Sequence, residues 1–79
     1  MKIEHDFTLG KGDYFRYRND STWTVIKTSW EEGGLRVWVK EGDVDPSRIS
    51  PNMMNNGSIW GSNIAHVQIL KKRFKFKNP

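Results

Sequence analysis

The chain contains no cysteine. This absence excludes disulfide bonds, thiolate metal sites and cysteine nucleophiles together. Small secreted domains usually need disulfide bonds, so we expect a protein of a reducing, cytoplasmic environment. The first residues contain no apolar run typical of a signal peptide, and the longest apolar stretches are too short to cross a bilayer. We therefore expect no association with a membrane.

Histidine is scarce, and the common catalytic and metal-binding motifs are incomplete. Of the two histidines, neither His5 nor His66 has a recognisable partner of the kind that a general base requires. Asp43 and Asp45 are spaced as in a calcium loop, but the EF-hand glycine and glutamate positions hold arginine and methionine. The glycine pair at residues 10–12 is too short for a phosphate loop. We predict a protein with no enzymatic activity, no cofactor and no metal site.

Acidic residues are absent from the last nine positions. Residues 1–70 carry eight Lys or Arg and nine Asp or Glu, whereas residues 71–79 carry five Lys or Arg and no acid. The whole positive excess therefore belongs to a basic C-terminal tail, which would attract phosphate through counterion release. In an extended tail the two phenylalanines would share one face, with cations on either side of them. The residues of this predicted patch are Lys71, Lys72, Arg73, Phe74, Lys75, Phe76 and Lys77. Two alternatives are a solvated tail that only aids solubility and an added strand whose phenylalanines cover a sheet edge.

The clearest secondary-structure signal is a β-hairpin between residues 23 and 40. Residues 23–30 are rich in β-branched side chains, which favour a strand, and the two glycines of residues 31–34 favour a tight turn. Residues 35–40 alternate strictly between aliphatic side chains and charged or aromatic side chains. One face of the predicted strand therefore carries Leu35, Val37 and Val39, and the other carries Arg36, Trp38 and Lys40.

Three shorter strands are predicted at residues 14–18, 59–60 and 67–70, and a long irregular loop at residues 42–58. Pro46 and Pro51 exclude a central strand from this loop. Asp45 is placed to cap a single helical turn that begins with Pro46. A second short turn is expected just before the last strand. The chain is therefore predicted to be all-β.

Three segments resemble the SH3-like barrel group, which includes Tudor-like and KOW-like modules, and the resemblance spans roughly residues 12–70. These segments are Gly12-Asp13-Tyr14, Trp23-Thr24-Val25-Ile26, and Ser62-Asn63-Ile64 leading into Val67-Gln68-Ile69-Leu70. The resemblance implies one small five-stranded SH3-like barrel over residues 1–70, with the long loop and the basic tail at residues 71–79. An OB-like barrel is the alternative, although it generally needs a longer chain.

Outward-facing aromatic residues form the second candidate binding feature. If Val37 and Val39 face the core, Trp38 faces outward between two cations. Exposed tryptophan and arginine often anchor protein interfaces. Tudor-like modules also use clustered rings to bind methylated side chains by cation–π attraction. The alternative is that these rings only enlarge a thin core.

We expect a non-enzymatic binding module, with nucleic acid as the first candidate partner. The alternatives are a small protein-binding adaptor or inhibitor, such as a phage or mobile-element protein acting on a host protein, and a protein that self-associates through the barrel edge or the tail. The neutral body counts against nucleic acid, because nucleic-acid-binding folds usually carry basic charge on the fold itself. The candidate contact residues are Arg16, Arg18, Trp30, Arg36, Trp38, Lys40, Trp60, Lys71, Lys72, Arg73, Phe74, Lys75, Phe76 and Lys77.

Overall fold

Five β-strands and three short 3₁₀ helices make up the computed structural model, which describes residues 9–64 and 67–74. The strands are β1 (Tyr14–Arg16), β2 (Thr22–Glu31), β3 (Gly34–Glu41), β4 (Gly57–Trp60) and β5 (Gln68–Lys71). The 3₁₀ helices are Arg18–Asp20, Pro46–Arg48 and Gly61–Ile64. The prediction of an all-β chain with five strands is confirmed. No helix in residues 9–64 or 67–74 is long and apolar enough to cross a membrane.

The strands form a single antiparallel sheet in the order β4-β3-β2-β1-β5. The central β2–β3 pair is the longest, and its hairpin turn lies where the glycine pair predicts it. Gly34 adopts a φ of +123°, a conformation that other residues rarely adopt. Within the described residues β4 and β5 do not pair, so the sheet is open rather than closed into a barrel.

The two faces of β3 agree with the alternation in its sequence. Val37 and Val39 are buried, and Val39 lies opposite the buried Val25 of β2. Together with Phe15 of β1 and Ile64 of the last 3₁₀ helix, they form the main part of the core. The core therefore lies on one side of the sheet, and the odd-numbered residues of β3 face it.

A β-bulge at Ile26 changes the direction of the side chains in β2. Val25 pairs with Val39, but Lys27 pairs with Trp38, so Ile26 is an extra residue between two consecutive pairs. Strict alternation predicts Lys27 on the same face as Val25. The bulge instead places Lys27 beside Trp38 on the face that points away from the core.

The loop between β3 and β4 is fixed to the sheet at its beginning. The Thr24 hydroxyl donates to the carbonyl oxygen of Gly42 (2.5 Å) and accepts from the amide of Val44 (2.9 Å). Asp45 caps the 3₁₀ helix Pro46–Arg48 by accepting from the amide of Ser47 at 3.0 Å, as the sequence predicts. The loop therefore starts from a defined position above β2.

The end of the same loop is fixed by Asn56. Its amide donates to the carbonyl oxygen of Val39 (2.8 Å), and its side-chain oxygen accepts from the amide of Glu41 (2.7 Å). The buried Ile49 holds the middle of the loop against the protein. The loop is thus attached at both ends and in the middle.

Asp13 joins the beginning of the described chain to its end. This fully buried carboxylate accepts hydrogen bonds from the amide of Gly10 (3.0 Å), the ammonium of Lys72 (2.6 Å) and the amides of Arg73 and Phe74 (2.8 Å each). Four donors compensate for the burial of its charge. The first residues of the predicted tail are therefore bonded to the sheet, and the predicted boundary after residue 70 falls inside β5.

Candidate functional site

The side of β2, β3 and β4 that points away from the core carries two tryptophans and three cations. The register places Trp60 opposite Arg36, and Trp38 opposite both Lys27 and Ser58. Lys40 follows two residues after Trp38 and therefore shares its face. We call this surface the outer face: Lys27, Ser29, Arg36, Trp38, Lys40, Ser58 and Trp60.

Each tryptophan of the outer face is covered by a cation. The guanidinium carbon of Arg36 lies 4.2 Å from the centroid of the Trp60 ring, and the ammonium of Lys27 lies 4.5 Å from that of Trp38. Arg36 also donates to Glu31 and to the Ser58 hydroxyl, both at 2.9 Å. These contacts fix the orientation of the Trp60–Arg36 pair before any ligand binds.

A groove of about 400 Å³ lies beside Trp38. It forms where the loop between β3 and β4 passes over the bulged part of β2. Its apolar walls are Ile26, Trp38, Ile49, Pro51 and Met53, and its polar lining is Lys11, Lys27, Thr28, Ser50 and Asn55. None of these lining residues is acidic, so the groove is electrostatically suited to an anionic ligand.

Most of the groove residues are not among the candidates found from the sequence. Only Trp38 is shared between the two sets. The sequence offers one signal near the bulge: Val25 and Ile26 are adjacent apolar residues, which interrupts the alternation expected of a strand with one buried face. No comparable pattern in the sequence indicates that the loop returns over β2.

The cations at the start of the predicted tail are paired with carboxylates. Lys71 and Arg73 bind Asp43 at 2.6 and 2.8 Å, and Lys72 binds the buried Asp13 at 2.6 Å. Arg73 also donates to two backbone carbonyl oxygens, each at 3.2 Å. These three side chains thus hold the end of the sheet in place. Three further predicted residues lie outside the described part of the chain: Lys75, Phe76 and Lys77.

The remaining candidates lie apart from the groove. Arg16 donates to Gln68 at 3.1 Å across the β1–β5 pair, and Arg18 lies 5.3 Å from the ring centroid of Tyr17. Trp30 is 76% exposed at the end of β2. Because Trp30 pairs with Leu35, it belongs to the side of the sheet opposite the outer face. The structure therefore brings together Arg36, Trp38, Lys40 and Trp60, but not the other candidates.

The ion pairs of Asp43 predict that the stability of the folded protein depends on pH at the acid end. Hydrogen bonds from Lys71, and then from Arg73, hold the pKa of Asp43 below its ordinary value of 3.8. The resulting contribution to stability is present above the ordinary value and is lost as the pH falls through the lowered folded-state pKa. In a ¹³C NMR titration we expect the Asp43 carboxyl to titrate below pH 3.8 and Lys71→Gln to raise its midpoint. An Asp43 midpoint at or above 3.8 in the unsubstituted protein would contradict the pairing.

Neither the described side chains nor known proteins indicate a function directly. In residues 9–64 and 67–74, no group of three or more His, Cys, Asp or Glu side chains could hold a metal ion. Comparison of the chain with protein-family models, with curated proteins and with solved structures found no match. Among the described residues, the outer face and its groove bring the most aromatic and cationic side chains together.

Proposed function

We propose that this protein is a non-enzymatic module of SH3-like architecture that binds single-stranded nucleic acid on its outer face. The observation that carries the proposal is the pair of cation-covered tryptophans, Trp38 with Lys27 and Trp60 with Arg36. Aromatic rings that stack on bases, together with cations that hold the backbone, are the usual means of binding single strands. The 3₁₀ helix Gly61–Ile64 before the last strand supports the architecture.

The spacing of the two rings suits a stacking platform. Trp60 lies opposite Arg36, two residues from Trp38 along β3, so the tryptophans are diagonal neighbours on adjacent strands. Diagonal neighbours in an antiparallel pair are roughly 7–8 Å apart. Sheets with aromatic side chains on an open face bind RNA in this way, with two or three bases stacked on the rings. The outer face therefore offers places for two bases, one stacked on the Arg36 guanidinium that covers Trp60 and one on the Trp38 ring in place of Lys27.

The charges of the described side chains favour the outer face and its groove over residues 71–73 at the start of the tail. Lys11, Lys27 and Lys40 have no carboxylate partner in the described part of the chain, whereas Lys72 is paired with a buried carboxylate. A phosphate that recruited Lys72 would leave the charge of Asp13 without its countercharge, which is costly in a buried site. Phosphate therefore binds more favourably beside Trp38 than at the start of the tail.

We expect alanine substitution of either outer-face tryptophan to weaken binding of single-stranded oligonucleotides. Loss of one stacked base costs about 1–3 kcal/mol, so Trp38→Ala and Trp60→Ala should each raise the Kd by roughly 5- to 150-fold. Trp30→Ala is the matched control, because Trp30 is an exposed ring on the other side of the sheet. The measurement is fluorescence anisotropy of labelled oligothymidine and oligouridine, with a duplex for comparison and a salt series.

Two further variants separate loss of binding from loss of folding and from a contribution of the tail. Trp60→Phe keeps a ring under Arg36 and should retain most of the affinity, while circular dichroism checks the fold of every variant. Lys75→Gln combined with Lys77→Gln tests the tail in a full-length chain. The proposal fails if Trp30→Ala weakens binding as much as Trp38→Ala does, or if only the tail variant weakens it.

Protein binding is the second candidate function, and the exposure of Trp30 favours it. A tryptophan that is 76% exposed is a common anchor of protein interfaces. Met54, which is 79% exposed, is a second large apolar side chain available for contact. If the protein binds no oligonucleotide near physiological salt, this candidate replaces the first. Binding of a protein partner should then depend little on salt, because apolar contacts are not weakened by salt as phosphate contacts are.

A further inference from the structure

The groove beside Trp38 has features that a flat stacking platform does not need. Ile26 and Trp38 form its wall on the sheet side, and Ile49, Pro51 and Met53 form its wall on the loop side. Its volume of about 400 Å³ is within the range of pockets that bind small molecules. The apolar side chains of this lining suit a flat, rigid ligand with an apolar face.

The polar lining of the groove fits the edge of a base and the phosphates beside it. Lys11 and Lys27 supply two positive charges, and no lining residue is acidic. The hydroxyl group of Ser50 supplies a donor and an acceptor for the polar edge of a base. An apolar groove with cations and a hydroxyl group at its border is complementary to a nucleotide.

The groove is formed before a ligand arrives. The hydrogen bonds of Thr24 and Asn56 hold both ends of the loop between β3 and β4, and the buried side chain of Ile49 holds its middle against the protein. A ligand therefore does not have to order the loop, and a preformed site loses less affinity to ordering costs.

We infer that the groove is a pocket for one base that turns out of the stack, while its neighbours in the strand lie on the outer face. This inference rests on the proposed function and specifies its ligand, since a base inside a duplex cannot enter the groove without unpairing. Lys27 joins the two surfaces, because it lines the groove and also covers the ring of Trp38. A strand stacked on Trp38 is thus already positioned at the entrance.

The methionines of the loop provide a direct test. Met53 lines the groove, whereas Met54, the next residue, is 79% exposed and is not part of the lining. We expect oligothymidine to shift the ¹³C-methyl NMR signal of Met53 in the full-length protein through the ring current of the bound base, and to leave Met54 nearly unchanged. An abasic sugar–phosphate strand of equal length should leave the Met53 signal in place.

Substitution of the same pair gives a second readout. Met53→Ala should weaken binding of oligothymidine by roughly tenfold, as expected for the loss of one apolar side-chain contact with the base, and should change binding of the abasic strand little. Met54→Ala is the matched control and should leave both affinities within a factor of about two.

Three outcomes distinguish binding of a base in the groove from stacking of bases on the outer face. If oligothymidine binds in a manner that depends on Trp38 and Trp60 but neither shifts Met53 nor responds to Met53→Ala, the pocket is refuted and the proposed function stands. If no oligonucleotide binds, both are refuted. If an acidic, apolar peptide shifts Met53 and oligothymidine does not, the groove belongs to a protein partner and the base pocket is refuted.

Discussion

Replacement of Asp13 by alanine is expected to lower the free energy of unfolding by about 3–5 kcal/mol, because three backbone amides lose their acceptor and each unsatisfied buried donor costs roughly 1–3 kcal/mol. Asp13 is fully buried and accepts four hydrogen bonds. Its loss would leave the amides of Gly10, Arg73 and Phe74 without these acceptors in a place with little access to water. Urea denaturation followed by tryptophan fluorescence and by circular dichroism measures the loss.

Asp43→Ala is the matched control for this prediction. The Asp43 carboxylate binds the same C-terminal segment, through Lys71 and Arg73, but it lies at the surface. Because solvent screens exposed ion pairs, we expect a much smaller loss than for Asp13→Ala. An equal loss in the two variants would show that Asp13 does not fix the C-terminal segment in the way described.

The role of Asp13 also determines how the tail has to be tested. A chain that ends at Leu70 would lack Lys72, Arg73 and Phe74, which supply three of the four donors to Asp13. Loss of binding after this truncation would therefore report on unfolding as much as on phosphate contacts. Substitution of Lys75 and Lys77 in the full-length chain avoids this ambiguity.

The β2–β3 hairpin and its faces could be predicted from the sequence because both signals are local. The turn is encoded by adjacent glycines, and the faces of β3 follow from a period of two residues. The position of the bulge at Ile26 could not be predicted in this way, because two adjacent apolar residues interrupt the alternation without showing which of them is the extra residue. This single residue places Lys27 on the outer face, where Lys27 covers the ring of Trp38 and lines the groove.

The pairing of the tail could not be predicted because it depends on contacts distant in sequence. Lys72 and Asp13 are separated by 59 positions, and no local pattern links them. The concentration of positive charge after residue 70 indicates a free basic patch, whereas the fold brings Asp13 and Asp43 to the same place. Charge counted along a sequence thus overestimates the charge that remains available once the chain has folded.

The contact between Gly10 and Phe74 predicts a large loss of stability from Gly10→Ala, although this substitution adds only one methyl group. A Cβ atom added at Gly10 would overlap the Phe74 ring. Gly10→Ala must therefore displace the ring from its place over Gly10, and we expect a loss of about 3 kcal/mol in the free energy of unfolding, at the upper end of the usual cost of overpacking. Thermal and urea denaturation of the single variant measure this loss.

A double-mutant cycle identifies the ring as the cause. Phe74→Ala should cost about 2 kcal/mol, because a half-buried ring is lost. In the Phe74→Ala background the space above Gly10 is empty, so Gly10→Ala should add little, and the coupling energy should be roughly 3 kcal/mol in magnitude. The control cycle pairs Gly10→Ala with Trp30→Ala, an exposed ring at the end of β2, and should be additive. Additive losses in the first cycle would mean that the Phe74 ring does not lie on Gly10, and that backbone hydrogen bonds and ion pairs alone hold the C-terminal segment on the sheet.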